Sequence, residues 1–157
     1  SFETYLIRKA CSKGEKNLES QLNSFIYGLQ PRTPKQAVEL WILGVENRSG
    51  AVQYAVLSPS LQKLTQKQFE EKGWVTGQSS PWVANVHFVK VDRISDTKVQ
   101  YTIAYDLLTS YEYFGRGHKI ITVEMNPEPY RTNWFITKII TTYFQNEGVT
   151  PAETANK

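Results

Sequence analysis

The sequence predicts an α+β fold, with N-terminal helices packed on a curved, mainly antiparallel sheet of four to five strands. Three observations predict it. Ahead of Gly73, apolar residues recur at helical spacing behind good N-caps. Residues 81–108 then hold two β-branched and aromatic runs around the polar turn Ser95-Asp96-Thr97, the signature of a β-hairpin. Two further strand-like runs follow, with no helix between them. Helices segregated from strands mark α+β rather than alternating βαβ.

In chain order, residues 2–10 read as a short helix. Ser12 and Glu15 fit a capping box, and Leu18, Leu22, Phe25, Ile26 and Leu29 follow as one apolar stripe that Pro31 ends. Residues 1–30 thus form an N-terminal helical extension. Thr33 is a good N-cap, Pro34 suits the first helical position, and Gln36 completes a Thr-x-x-Gln box. Val38, Trp41, Ile42 and Val45 form the apolar stripe of that helix, which ends at Asn47-Arg48-Ser49-Gly50. Residues 51–57 balance between helix and strand. Val52, Ala55 and Val56 share a helical face, which favours helix. Ser58-Pro59 starts a polar surface helix carrying Leu61, Leu64 and Phe69, and Gly73 stops it. Gly77 and Pro81 bend the approach to the hairpin.

Alternation puts Val99, Tyr101, Ile103, Tyr105 and Leu107 on one face of the second hairpin run, and Thr102, Ala104 and Asp106 on the other. An even-length turn sets Trp82, Val86 and Phe88 beside the aromatic face. It sets Asn85 and His87 beside Asp106, and a single bulge reverses the assignment. Tyr111, Tyr113 and Phe114 make an aromatic loop closed by Gly115-Arg116-Gly117. Residues 118–125 read as a third strand and 134–144 as a fourth. The fourth is apolar on both sides, with Trp134, Ile136 and Ile140 on one and Phe135 and Ile139 on the other. Residues 146–157 carry no large apolar side chain apart from Val149 and read as a flexible tail, dispensable for folding. The domain proper spans residues 31–145.

The 157 residues suffice for one core, and the composition, 40% hydrophobic and 21% charged, is that of a globular chain. A net charge of +3, from 18 basic and 15 acidic residues dispersed along the chain, gives no reason to expect nucleic acid as a partner. Cys11 is the only cysteine, which excludes an intrachain disulfide. No apolar run has membrane-spanning length. The chain opens Ser1-Phe2-Glu3 without Met and reads as a trimmed piece, so membrane association is expected only through a missing N-terminal anchor.

No motif carries catalysis. Ser79 and Ser80 lack a nucleophile elbow, and no Ser/His/Asp set can be placed by spacing. Gly115-Arg116-Gly117 is too short for a phosphate loop. His87 and His118 lack a third metal ligand. His87 and Asp106 read as solvated or paired with neighbours, and Glu124 with Lys119 and His118 as cross-strand ion pairing. The expectation is therefore no catalytic residue, no metal and no cofactor. The remaining signal is aromatic, since four Trp and nine Tyr exceed what a plain surface needs. Trp74, Trp82, Tyr101, Tyr105 and Tyr113 suit a ligand pocket or a partner face, and Phe135 and Ile139 extend it on the fourth strand.

Certain stretches carry a resemblance. They are the helix Pro34-Lys35-Gln36-Ala37-Val38-Glu39-Leu40-Trp41, its Asn47-Arg48-Ser49-Gly50 exit, the segment Tyr54-Ala55-Val56-Leu57-Ser58-Pro59 and the strand Trp134-Phe135-Ile136-Thr137-Lys138-Ile139. In this order, across residues 33–144, the chain resembles the NTF2-like superfamily, the cystatin-like α+β cone. That resemblance implies a cone-shaped fold used by ketosteroid isomerases, dehydratases and many non-catalytic modules. Its enzymes place an acid or base inside the cone, and no Asp here matches the isomerase pattern. The function expected is a non-catalytic interaction or assembly module. Such modules occur on bacterial surface and lipoprotein chains, which implies a bacterial extracytoplasmic setting. The alternatives are a small isomerase or dehydratase acting in the cone, and a carrier or sensor of a small apolar ligand. The partner expected is a protein, or a second copy, covering the sheet face that carries Phe135 and Ile139, or its opposite. Otherwise the helix of residues 18–29 wraps over that face.

Overall fold

The computed structural model describes Ser20, Gln21, Ser24, Gly28 and residues 30–77, 82–127, 132–142 and 150–156. The expectations for residues 2–19, the Ser12 capping box, Cys11, most of the stripe of residues 18–29, Ser79, Ser80 and residues 143–149 lie outside the described residues.

Among the described residues from 30 onward, three helices follow the N-cap chemistry of the sequence: α1 (Pro34–Glu46), α2 (Gly50–Ala55) and α3 (Pro59–Glu71). Thr33 Oγ1 accepts from the Gln36 backbone N–H at 3.1 Å. Gln36 Oε1 accepts from the Arg32 backbone N–H at 3.0 Å, one residue ahead of the usual capping-box target. Ser49 and Ser58 cap α2 and α3 in the same way. The helical preference within residues 51–57 is met by α2. On α3, Phe69 turns into the core and Leu64 stays in water, as a polar surface helix should.

Five strands form one sheet: β1 (Trp82–Ser95), β2 (Lys98–Leu108), β3 (Tyr113–Pro127), β4 (Thr132–Thr142) and β5 (Glu153–Asn156). They lie in sequence order, antiparallel except for the parallel pair β4 and β5. The α+β class is therefore as the sequence predicts. The hairpin turn is Asp96-Thr97, with Ser95 opposite Lys98. β3 starts at Tyr113 rather than at 118. Gly115, Arg116 and Gly117 do not close a loop but lie in the ladder, opposite Leu107, Asp106 and Tyr105. A Cβ at Gly117 would sit 2.5 Å from the Tyr105 ring, so glycine is what lets that ring cross the strand.

Bulges reset the faces. β1 gains an extra residue between Ala84 and His87, between Phe88 and Lys90, and between Arg93 and Ser95. Asn85 takes φ 54 at the first of these. His87 opposes Ala104, and Asn85 Nδ2 donates to Asp106 Oδ2 at 2.9 Å, so their expected shared face holds. Trp82 does not. It opposes Leu108, across the pleat from Tyr105, because the first bulge reverses the parity ahead of Val86. On β4, Val123 opposes Ile136 while Thr122 opposes Lys138, leaving Thr137 as the extra residue. Ile139 thereby joins Ile136 on the core face, opposite Phe135. The expected pairing of Phe135 with Ile139 on one face is corrected, and both side chains are buried within the single chain.

The core lies between α1 and the sheet. It joins Ala37, Val38 and Trp41 to Val99, Tyr101, Ile103, Ile121, Val123, Ile136 and Ile139, with Ile42, Val45, Val86 and Phe88 packed at its margin. Phe69 stacks on Trp74 at 5.6 Å, and Tyr54 meets both rings edge-on, which ties α2 and α3 to the turn after α3. The outer edge of β4 is covered by its own chain. Ile136 donates to Val56 O (2.8 Å) and accepts from Ser58 N (2.9 Å), and Trp134 donates to Pro31 O (2.9 Å). Past the bulge, β5 pairs with Ile139 to Thr142. The expectation of a fraying tail is thus wrong over residues 150–156. They dock, because their backbone completes a ladder and one of their side chains enters the core.

Candidate functional site

That side chain is Glu153. It reaches the one charged residue that the alternation of β3 sends inward. In His118-Lys119-Ile120-Ile121-Thr122-Val123, Lys119 has the parity of Ile121 and Val123, so it must enter the core with a partner or not at all. The Lys119 and Glu153 side chains are 3% and 1% exposed. The Lys119 ammonium donates to Glu153 Oε1 in a very close ion pair, and to Thr141 Oγ1 at 3.2 Å. It also lies 4.8 Å from the Tyr105 ring centre and 5.8 Å from that of Trp41. Glu153 Oε1 accepts from Thr141 Oγ1 at 2.7 Å. Its Oε2 accepts from the Thr150 backbone N–H at 2.6 Å and the Thr150 hydroxyl at 2.7 Å. Glu124, read from sequence as Lys119's neighbour in ion pairing, instead opposes Lys98.

Burial alone pushes the Glu153 carboxyl up. The Lys119 charge and the hydrogen bonds from Lys119, Thr150 and Thr141 outweigh it and hold the group below its ordinary value of 4.5. The carboxylate is ionised and saturated, with no lone pair left to take a substrate proton. A depressed folded-state value means stability that is full above pH 4.5 and is lost as pH falls through the folded value. In urea titrations across acid pH, the stability gap between the native chain and Glu153→Gln is therefore expected to stay constant above pH 4.5 and to close below it. A gap unchanged down to about pH 2 would show that Glu153 does not titrate with unfolding.

The pair forms the floor of an open cavity of about 400 Å³. Val45 and Glu46 from the end of α1, Arg48 just after it, Gly77 ahead of β1, Trp82 and Val83 from the start of β1, and Thr150 make its walls. Arg48 is held there at φ 58, a left-handed conformation that a non-glycine residue adopts at a cost. Behind the pair, between Trp41, Ile103 and Tyr105, the interior closes to a void of about 10 Å³. Among the described residues the space between helices and sheet is therefore filled at depth and open at this mouth.

The predicted aromatic site residues do not converge. Trp82 lines the mouth and is 36% exposed. Tyr105 is buried beneath Lys119, and Tyr101 packs against Phe88 in the core. Trp74 belongs to the Tyr54 and Phe69 cluster. Tyr113 stands exposed at the start of β3. Phe135 and Ile139 are buried on opposite faces of β4. Asp106 and His87 face away from the core; Asp106 is held by Asn85 and Arg116, and His87 Nδ1 lies 3.1 Å from Asn85 O. Sequence reasoning missed Lys119, Thr141, Thr150 and Glu153. Two signals marked them: a charge at core parity in β3, and the Thr-x-x-Glu spacing of Thr150 and Glu153. Compared with protein-family models, with curated proteins and with solved structures, the chain matches none.

Proposed function

We propose that the chain is a non-catalytic interaction module of NTF2-like architecture. One observation carries the reading: the single carboxylate enclosed by the core, among the described residues, is saturated by Lys119, Thr141 and Thr150. A cone enzyme of the isomerase or dehydratase type needs an acid or base that can change its proton during turnover. Here the interior groups serve to attach β5. Helices on one side of a mainly antiparallel sheet, with a closed interior, support the NTF2-like assignment. The bacterial extracytoplasmic setting is part of the proposal and rests on the sequence resemblance.

A carrier of a small ligand is favoured by one observation, the 400 Å³ mouth with Trp82 and Arg48 on its wall. Native mass spectrometry of the chain purified without added ligand separates the two readings. The interaction module is expected to fly at its bare sequence mass. A retained small molecule that is lost in Trp82→Ala would overturn it in favour of the carrier.

A further inference from the structure

We propose that β1 is a self-pairing edge, through which two copies of the chain join antiparallel about Val91. This names the partner for the interaction-module reading and rests on it.

The two long edges of the sheet are treated differently. β4 is covered by Pro31, by the Val56 to Ser58 connection and by β5, as described above. β1 is the first strand in the sheet order and, among the described residues, pairs on one side only. Its distal half exposes three large apolar side chains, Val89, Val91 and Ile94, at 56%, 57% and 55%. An open edge with apolar side chains is a template for another strand. Bulges at Val89 and Ile94 bound the usable stretch. Between them Lys90, Val91, Asp92 and Arg93 pair without a break with Thr102, Tyr101, Gln100 and Val99.

The charges on that stretch select one register. A two-fold axis perpendicular to the sheet keeps the faces of both copies aligned, so facing residues must have numbers with an even sum. Four registers centre on the unbroken stretch. Centred on Lys90, ammonium meets ammonium. Centred on Asp92, carboxylate meets carboxylate, and centred on Arg93, guanidinium meets guanidinium. Centred on Val91, Lys90 of each copy faces Asp92 of the other, and Val91 faces its twin. Lys90 and Asp92 already share a face, with Lys90 Nζ 3.3 Å from Asp92 Oδ2 and side chains 66% and 42% exposed. The dimer would convert this pair into a square of four alternating charges and continue the sheet across both copies. Opposite charges facing across strands attract and like charges repel, and symmetry counts each pair twice.

The experiment is sedimentation equilibrium on the full chain and on four samples: Lys90→Asp, Asp92→Lys, the double exchange, and an equal mixture of the two single variants. All substitutions lie on the exposed strand, and circular dichroism checks that the fold is kept. The native chain is expected to dimerise. Each single variant sets like charges face to face and is expected to dissociate at least about tenfold more readily. The double exchange restores the alternation and is expected to recover native affinity within a few-fold. The mixture is expected to form a heterodimer, since the acidic strand of one variant then faces the basic strand of the other. A native chain that stays monomeric at millimolar concentration overturns the proposal. So does a dimer that both single variants leave unchanged, because it uses another surface. Neither result touches the interaction-module reading, which falls on a retained ligand in the mass spectrum instead.

Discussion

Replacing Lys119 by Met, or Glu153 by Gln, is expected to cost about 3–5 kcal/mol of unfolding free energy. Each substitution leaves the partner in the core without its counter-charge. In Lys119→Met the Glu153 carboxylate keeps Thr141 and Thr150 but loses the ammonium that offsets its burial. In Glu153→Gln the ammonium keeps the Thr141 hydroxyl and the two ring faces. Those ring contacts are worth about 2 kcal/mol or more when desolvated, which makes Lys119 the better supported of the two. Glu153→Gln should therefore lie toward the lower end of the range and Lys119→Met toward the upper end. The double variant Lys119→Met, Glu153→Leu removes both charges together and is expected to regain most of the loss, since a buried pair exchanged for apolar groups is often neutral. Urea melts of the native chain, Lys119→Met, Glu153→Leu and the double variant form a closed cycle. A double variant no better than the worse single one would mean that geometry at Thr141 and Thr150, rather than charge, holds β5.

What could be read from the sequence followed the strength of the local chemistry. Caps at Thr33 and Ser58 are signals within four residues, and α1 and α3 begin where those residues stand, whereas the Ser49 cap of α2 lies inside a stretch that reads as the exit of α1. The hairpin was legible because its β-branched runs and its turn agree. The bulges were not, since one extra residue leaves the composition of a strand unchanged and only its pairing altered. Asn85 is the visible trace, an Asn in an apolar run that tolerates the left-handed conformation it adopts. At Thr137 there is no comparable trace, so plain alternation places Ile139 on the face of Phe135, whereas the bulge moves it to the core face. β5 is not legible because its residues carry little apolar surface. This strand docks through a backbone ladder and a buried charge, and neither registers as hydrophobicity. The aromatic residues show the opposite failure. Trp74 and Tyr105 suit a ligand pocket or a partner face by type, yet Tyr105 is buried and Trp74 packs against the core, and composition alone does not separate the two uses.

Trp41→Ala is expected to destabilise the chain by about 3–5 kcal/mol, the range for truncating a buried aromatic residue. Trp41 is buried on α1, packs within the main core cluster and lies over Lys119. It also lines the small void behind the ion pair, whose other walls Val45, Val83 and Lys119 are shared with the open mouth. Deleting the indole therefore enlarges the void beside the mouth and makes a largely apolar pocket of about the size of the ring removed. Such an engineered cavity binds an apolar molecule of matching shape. Free indole is expected to raise the melting temperature of Trp41→Ala in a concentration-dependent way and to leave the native chain unchanged. Trp41→Phe should lose much less than Trp41→Ala. It keeps one ring against the core and removes the indole N–H, which has no hydrogen-bond partner among the described residues and whose burial costs about 1–3 kcal/mol. Equal melts for Trp41→Ala and the native chain would mean that α1 does not close the interior. Stabilisation of the native chain by indole would mean that the interior is already open at depth.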